Sequence, residues 1–146
     1  MRRSIIVGVV SATMLLMGAT AAFADNPHIV GTPTATVSGN TLTLSASVAG
    51  LGNVPSATFD LVGTADVSSR CYTKSGNKPQ AANKQETISV NSTETFAVRN
   101  GRTNATFTVT PLSTLTCPRG QVVVIESVAY DLDLIYQGNV LYNFSG

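Results

Sequence analysis

The sequence contains few of the residues on which catalytic and metal sites are usually built. Its 146 residues include one histidine, two cysteines and no tryptophan, and only 12% of them are charged. The single histidine, His28, lies close to the N-terminus, where we expect no scaffold to hold it as a catalytic base. The chain also lacks P-loop, EF-hand and HExxH patterns. These absences argue against an enzyme and predict no catalytic residue, no metal and no cofactor.

Charge of either sign is scarce and nearly balanced. Of the nine Lys and Arg residues, Arg2 and Arg3 belong to an N-terminal segment that we expect to be removed, which leaves seven against eight Asp and Glu. Binding to nucleic acid needs concentrated positive charge, and electrostatic attachment to a membrane surface needs it as well. We therefore expect neither kind of partner.

The longest apolar stretch lies at the N-terminus and has the three parts of a secretory signal peptide. Arg2 and Arg3 form a positive start, residues 5–17 are uncharged and mostly apolar, and small residues then lead to Ala22-Phe23-Ala24. The apolar part partitions into the membrane while the arginines stay on the cytoplasmic side, and the small residues fit the peptidase.

A membrane anchor is the alternative to cleavage. Residues 5–17 are shorter than the roughly 20 apolar residues of a spanning helix, and Asp25-Asn26-Pro27 follows them in place of a basic flank. The sequence therefore predicts a cleavable signal peptide over residues 1–24 and a single secreted domain over residues 25–146. We expect that domain outside the cell or on its surface, without membrane insertion.

Thr, Ser, Val and Asn are abundant where helical periodicity is scarce, and their pattern predicts β-strands. Residues 41–49 alternate strictly, with Leu42, Leu44, Ala46 and Val48 on one face and hydroxyl side chains on the other. This period of two is typical of a strand with one buried face. Related patterns predict strands over residues 29–37, 57–64, 87–99, 103–110, 121–137 and 140–144, with 87–99 forming one strand or two.

Seven or eight strands without a helix to cover them predict two sheets that cover each other. We expect an all-β, antiparallel β-sandwich, Ig-like in general architecture, with a closed β-barrel as the alternative. The Cys…Trp…Cys pattern of antibody domains is missing.

Asn100-Gly101 predicts a tight hairpin. Glu126 interrupts the apolar face of residues 121–137 and predicts a β-bulge.

Two cysteines in an exported chain predict one disulfide, between Cys71 and Cys117. The chain-entropy model values the closure of so long a loop at roughly 4 kcal/mol. A metal pair or two free thiols are the alternatives, and two cysteines with one histidine are a poor ligand set.

Residues 72–86 carry almost no apolar side chains, and they predict a loop that is long for a compact domain. The loop and its base hold a local basic cluster, and the candidate binding residues are Arg70, Tyr72, Lys74, Lys78 and Lys84. A solvated loop is the simpler interpretation of the same residues.

Asp131 and Asp133 are two apart on a predicted strand, so their side chains share a face. They suit a calcium site or a carboxylate dyad, although a solvated sheet face is the favoured interpretation.

We expect an extracellular, non-catalytic binding or structural module whose partner is a protein or polysaccharide. Self-assembly through an exposed edge, near Pro33 or residues 140–144, is a variant of this function. The first alternative is a secreted enzyme inhibitor that presents residues 72–86. The least favoured is a hydrolase relying on Asp131, Asp133 or Glu126.

Overall fold

Seven β-strands make up most of the computed structural model, which describes residues 26–75 and 78–146. The strands are β1 (His28–Ser38), β2 (Thr41–Ala49), β3 (Ser56–Thr73), β4 (Pro79–Ala97), β5 (Thr103–Val109), β6 (Gln121–Tyr136) and β7 (Asn139–Ser145). Within these ranges no helix is long and apolar enough to cross a bilayer. The predicted signal peptide, residues 1–24, lies outside the described residues.

The strands form two antiparallel sheets, in the orders β1-β2-β5 and β4-β3-β6-β7. They stay separate, so the predicted β-sandwich is confirmed and the barrel alternative is wrong. In Ig domains of the constant type, the fourth strand joins the sheet of the first two strands. Here β4 remains beside β3 in the other sheet, which gives a division of three strands against four.

The core lies between the inner faces of the two sheets, as the alternation in the sequence predicts. Every second residue of β2 and β5 is buried, including Leu44 and Phe107. Aromatic rings pack within this core. Phe96 of β4 meets Phe107 of β5 across the two layers, with ring centres 5.5 Å apart, and Phe59 meets Tyr136 on the neighbouring strand of the same sheet at 5.0 Å. Such offset and edge contacts contribute beyond the area that the rings bury.

The predicted long loop over residues 72–86 is wrong. β3 continues to Thr73 and β4 begins at Pro79, so this part of the chain is the end of a long hairpin. Its backbone pairs residue by residue, from Arg70 opposite Asn83 to Ser56 opposite Ala97. The segment lacks apolar alternation because it is an edge strand whose outer face is solvated and whose inner face meets polar groups.

The prediction at Asn100-Gly101 is correct for the turn and wrong for the strands beside it. Both residues have positive φ, 51° and 71°, and Arg99 bridges to Arg102 across them. Beyond that bridge the chain passes from one sheet to the other, because β5 pairs with β2 along its whole length. The turn therefore links the two layers of the sandwich.

The predicted bulge at Glu126 is confirmed. Ser68 pairs with Ser127 and Ser69 pairs with Ile125, so Glu126 is the additional residue on β6. The bulge turns Ile125 toward the inner face and sends the Glu126 side chain to the outer face, where it reaches β3.

Gly63 marks the closest approach of β3 to β6. Its φ is +154°, and a Cβ there would lie 2.0 Å from the Asp131 carbonyl oxygen. We expect Gly63→Ala to lower the free energy of unfolding by roughly 3 kcal/mol or more, because strain and overpacking add. Gly138→Ala is the control, since Gly138 has φ +78° but open space around it. Equal urea midpoints for the two variants would contradict this account.

Candidate functional site

The end of the four-stranded sheet that carries the β3–β4 hairpin is covered in an unusual way. Its inner face is formed around Ser69 and Cys71, both fully buried. The covering element is the β5–β6 connection, residues 110–120, which contains the buried Leu112 and Ser113. This connection is irregular, so its own polar groups need partners on the strands that it covers.

The predicted disulfide is confirmed and holds the connection against β3. Cys71 and Cys117 are bonded with their Cα atoms 5.6 Å apart and 46 positions apart in sequence. Cys71 is fully buried. The bridge lies two residues from the end of β3 at Thr73, so it fixes the base of the hairpin tip.

Glu86 of β4 binds the same connection through both carboxylate oxygens. Ser113 Oγ donates to Oε2 at 2.8 Å, and the Thr114 backbone N–H donates to the same oxygen at 2.9 Å. Oε1 accepts from the Thr114 hydroxyl and forms an ion pair with Lys84 Nζ at 2.9 Å. Lys84 Nζ donates in turn to Thr114 Oγ1. Glu86 therefore gathers four donors from two segments of the chain.

These donors stabilise the charged carboxylate of Glu86. The hydrogen bond from the Thr114 hydroxyl is the largest cause, followed by Lys84 and the Thr114 backbone, and together they lower the pKa of Glu86 to about 2. Glu86 therefore stays ionised in the folded protein well into the acid range.

Ser113 extends this attachment to β3 and to the β1–β2 turn. Its hydroxyl lies 2.7 Å from Ser69 Oγ of β3. Its backbone N–H donates to Asn40 Oδ1 at 2.8 Å, and Asn40 Nδ2 donates to the Ser113 carbonyl at 3.1 Å. Asn40 belongs to the β1–β2 turn, so the connection is bonded to both sheets.

Three of the five predicted binding residues are occupied by internal contacts. Tyr72 OH donates to Glu126 Oε1 at 3.0 Å, and this hydrogen bond, with some loss of hydration, raises the pKa of Tyr72. Arg70 Nε lies 3.2 Å from the same oxygen, in a geometry that makes an ion pair but no hydrogen bond. Lys84 is paired with Glu86 on the opposite face.

Lys74 and Lys78 are the two predicted residues that remain available. Both are exposed at the hairpin tip and form no salt bridge within the described residues. The tip is held at its base by the Thr73 N–H, which donates to the Lys78 carbonyl at 3.0 Å. The Thr73 hydroxyl accepts from the Lys78 N–H at 3.2 Å.

Arg119 joins these lysines and was not a predicted site residue. The Lys74 N–H donates to the Gly120 carbonyl at 3.3 Å, so the turn that carries Arg119 lies beside the tip. Arg119 is also exposed. The signal was present in the sequence, because the predicted bridge brings Cys117, two residues from Arg119, to Cys71. We call Lys74, Lys78 and Arg119 the basic end.

The predicted carboxylate pair lies on the outer face of the four-stranded sheet. Asn143 Nδ2 of β7 donates to Asp131 Oδ1 at 2.6 Å and to Asp133 Oδ1 at 2.9 Å. Across residues 26–75 and 78–146, no three His, Cys, Asp or Glu side chains gather closely enough to hold a metal ion. His28 begins β1 opposite Ala49 rather than lying in a free tail, and its Nδ1 lies 2.7 Å from the Asn26 carbonyl.

A shallow trough of about 390 Å³ crosses the outer face near the bulge. Small and polar side chains line it, among them Asp66, Ser68, Gln85, Thr87 and Ser127. The Thr87 hydroxyl donates to Asp66 Oδ1 at 2.6 Å, so part of its polar surface is already satisfied. The trough provides neither an unpaired cation nor an aromatic platform.

No protein-family model matches the chain, and no curated protein matches its sequence. The candidate site therefore depends on geometry alone.

We expect the double variant Cys71→Ser, Cys117→Ser to lose roughly 4 kcal/mol of unfolding free energy, because the unfolded chain regains the freedom of a long loop. Urea denaturation measures this loss, and hydrogen exchange at residues 111–116 shows whether the connection loosens with it. Wild-type protein treated with a reductant is the matched control and should behave alike. An unchanged urea midpoint would show that the hydrogen bonds alone hold the connection.

The low pKa of Glu86 predicts an acid-sensitive stability. A group whose folded pKa is below its unfolded value stabilises the fold above the unfolded pKa, here 4.5, and loses that contribution as the pH falls toward about 2. We expect Glu86→Gln to lower the urea midpoint at neutral pH and to flatten its fall between pH 4.5 and 2. Glu94→Gln, on the same strand but outside this network, is the matched control for the loss of one carboxylate, and its urea midpoint at neutral pH should stay close to that of the wild type.

Proposed function

We propose that the protein is an exported, non-catalytic binding module that holds anionic groups of an extracellular polymer or protein through the basic end. The observation that carries this proposal is a division among the cations of the hairpin end. Arg70 and Lys84 are each paired with a carboxylate, whereas Lys74, Lys78 and Arg119 are exposed and have no acidic partner among the described residues.

An exposed, unpaired cation costs the fold little stability, so the exposure of these three residues is weak evidence for a function. The firm attachment of the two turns that carry these residues is the stronger argument. The disulfide fixes Cys71 beside the tip, and the Glu86 contacts fix the connection that leads to Arg119. Three charges on two turns joined by a backbone hydrogen bond lose little conformational freedom when they bind, which favours affinity.

Export is supported by two observations of different kinds. The first 24 residues have the composition of a signal peptide. The disulfide is typical of proteins that fold in an oxidising compartment. Both agree with a protein that acts outside the cell or on its surface.

The inhibitor alternative is less well supported, because its long loop is a hairpin. β3 ends at Thr73 and β4 begins at Pro79, so at most five residues separate the two paired strands. A substrate-like loop needs several consecutive extended residues to fill an active-site cleft, and this tip is too short for that. Binding through charge requires no such length.

The proposal predicts that Lys74→Gln with Lys78→Gln weakens binding to anionic polysaccharide. Each cation near an anionic surface contributes about 1 kcal/mol, so we expect the dissociation constant to rise roughly thirtyfold. Titration calorimetry with dextran sulfate and with alginate measures it at two salt concentrations. The salt dependence should become shallower in the variant, because fewer counterions are released.

Arg99→Gln with Arg102→Gln is the matched control. It removes the same charge from the turn between β4 and β5, away from the basic end. If the two variants lose polymer affinity equally, the effect comes from net charge alone, and this result would contradict a localised site. Wild-type protein that binds neither polymer, nor any acidic protein in the culture medium, would reject the proposed function.

A further inference from the structure

Four strands lie at sheet edges, and two of them are obstructed by irregular or charged residues. β1 contains Pro33 and Gly31, with φ +74°, and its pairing with β2 shifts between Val30 and Thr34. β4 carries Glu86 and Glu94 along its length, together with a lysine and a proline. Prolines, bulges and charges are the devices that keep an edge from pairing with another chain.

β7 is obstructed in another way. Its pairing with β6 shifts between Leu134 and Ile135. Asn143 of β7 is held by Asp131 and Asp133 on the neighbouring strand, so two carboxylates stand beside this edge. A second copy approaching it would bring like charges together.

β5 has none of these devices. Thr103–Val109 contains no charge and no proline, and its seven residues pair with β2 without a shift in register. An edge strand this regular and uncharged is a template for another strand.

The register of the β1–β2 hairpin determines which residues of β5 point their backbone N–H and C=O groups to the free edge. Ser38 pairs with Thr41 across a two-residue turn, and such a pair is hydrogen-bonded. The even-numbered residues of β2 therefore bond toward β5, and their partners on β5 are odd-numbered. Asn104, Thr106 and Thr108 consequently direct their N–H and C=O groups away from β2, to the free edge.

We propose that a second copy of this chain pairs with this edge, β5 antiparallel to β5, about a two-fold axis through Thr106. Thr106 then faces Thr106 of the other copy, and Asn104 faces Thr108, so that each of these pairs exchanges two hydrogen bonds. The three-stranded sheets of two copies join into one continuous sheet.

The side chains of β5 are complementary to themselves in this register. On the outer face, hydroxyl and amide groups meet across the axis. On the inner face, Ala105 of one copy lies opposite Phe107 of the other, so a small side chain meets a large one. The absence of charge from β5 means that no ion of this strand is desolvated when the copies join.

An apolar cleft beside β5 gives the second copy further surface to cover. It has a volume of about 420 Å³ and lies between the edges of the two sheets; Ile88, Val90, Val109 and Pro111 supply its apolar surface, and Glu86 lies at its border with several Ser and Thr residues. Thr103 of the second copy lies opposite Val109, which lines this cleft.

Sedimentation equilibrium of the full chain, as secreted and purified, tests the pairing from about 1 µM to about 1 mM. We expect a monomer–dimer equilibrium, and Thr106→Lys should raise its dissociation constant at least about tenfold, because like charges then face each other directly. Thr34→Lys is the matched control: Thr34 is exposed on β1 in the same sheet, and the variant should dimerise like the wild type.

Hydrogen exchange gives a second measurement that does not depend on any variant. The N–H groups of Asn104, Thr106 and Thr108 should exchange rapidly in dilute protein and become at least about tenfold slower in concentrated protein. Those of Ala105 and Phe107 should be protected at both concentrations, because they bond to β2. This alternation identifies the edge and the register together.

Three results would overturn the pairing. One is a monomer throughout the concentration range. Another is equal weakening by Thr34→Lys and Thr106→Lys. The third is protection of Asn104, Thr106 and Thr108 only when an extended peptide is added to a chain that stays monomeric, since the edge would then receive another protein. None of these results depends on polymer binding at the basic end.

Discussion

The organisation of the hairpin end depends on one constraint, the need to cover the inner face around Ser69 and Cys71. The connection between β5 and β6 meets this need with little apolar surface of its own. It is held by the disulfide, by both oxygens of Glu86 and by Asn40 from the opposite sheet. Because a buried polar segment is stable only when its hydrogen bonds are satisfied, this network of partners is what allows the sheet to extend so far.

The sequence predicts this fold best where one side of a strand is apolar and the other polar. The bounds of β2 agree with the predicted ones, residues 41–49, because Leu42 and its alternate neighbours are buried in a true core. The bulge at Glu126 was also predictable, since a charge in an apolar series can leave the core only through an additional residue. The disulfide followed from composition and compartment together, without any knowledge of distance.

The wrong predictions share one physical cause. They depend on which strands pair through their backbones, and the pattern of side chains along the sequence does not reveal this. Residues 79–86 form a strand because their backbone bonds to β3, although neither face of this edge meets the core. Asn100-Gly101 specifies a local turn, but the sheet that each neighbouring strand joins is decided by β2 and β3. Arg119 lies at the candidate site because Gly120 bonds to Lys74. The predicted disulfide indicated this neighbourhood, but the side-chain pattern alone did not.

Pairing also separates the cations that are held within the fold from those that remain exposed. The sequence alone presents Arg70, Lys74, Lys78 and Lys84 as one cluster, whereas the structure assigns Arg70 and Lys84 to carboxylates on opposite faces of the sheet. The remaining charge is small, so a single copy has only a few ionic contacts to offer. In the proposed dimer β5 runs antiparallel to β5 of the other copy, and the C-terminal end of β5 lies toward the hairpin tip. The two basic ends therefore lie at opposite ends of the assembly, where each would meet a separate stretch of polymer. Pairing at the uncharged edge of β5 therefore leaves both basic ends exposed, and the two proposals can be tested independently of each other.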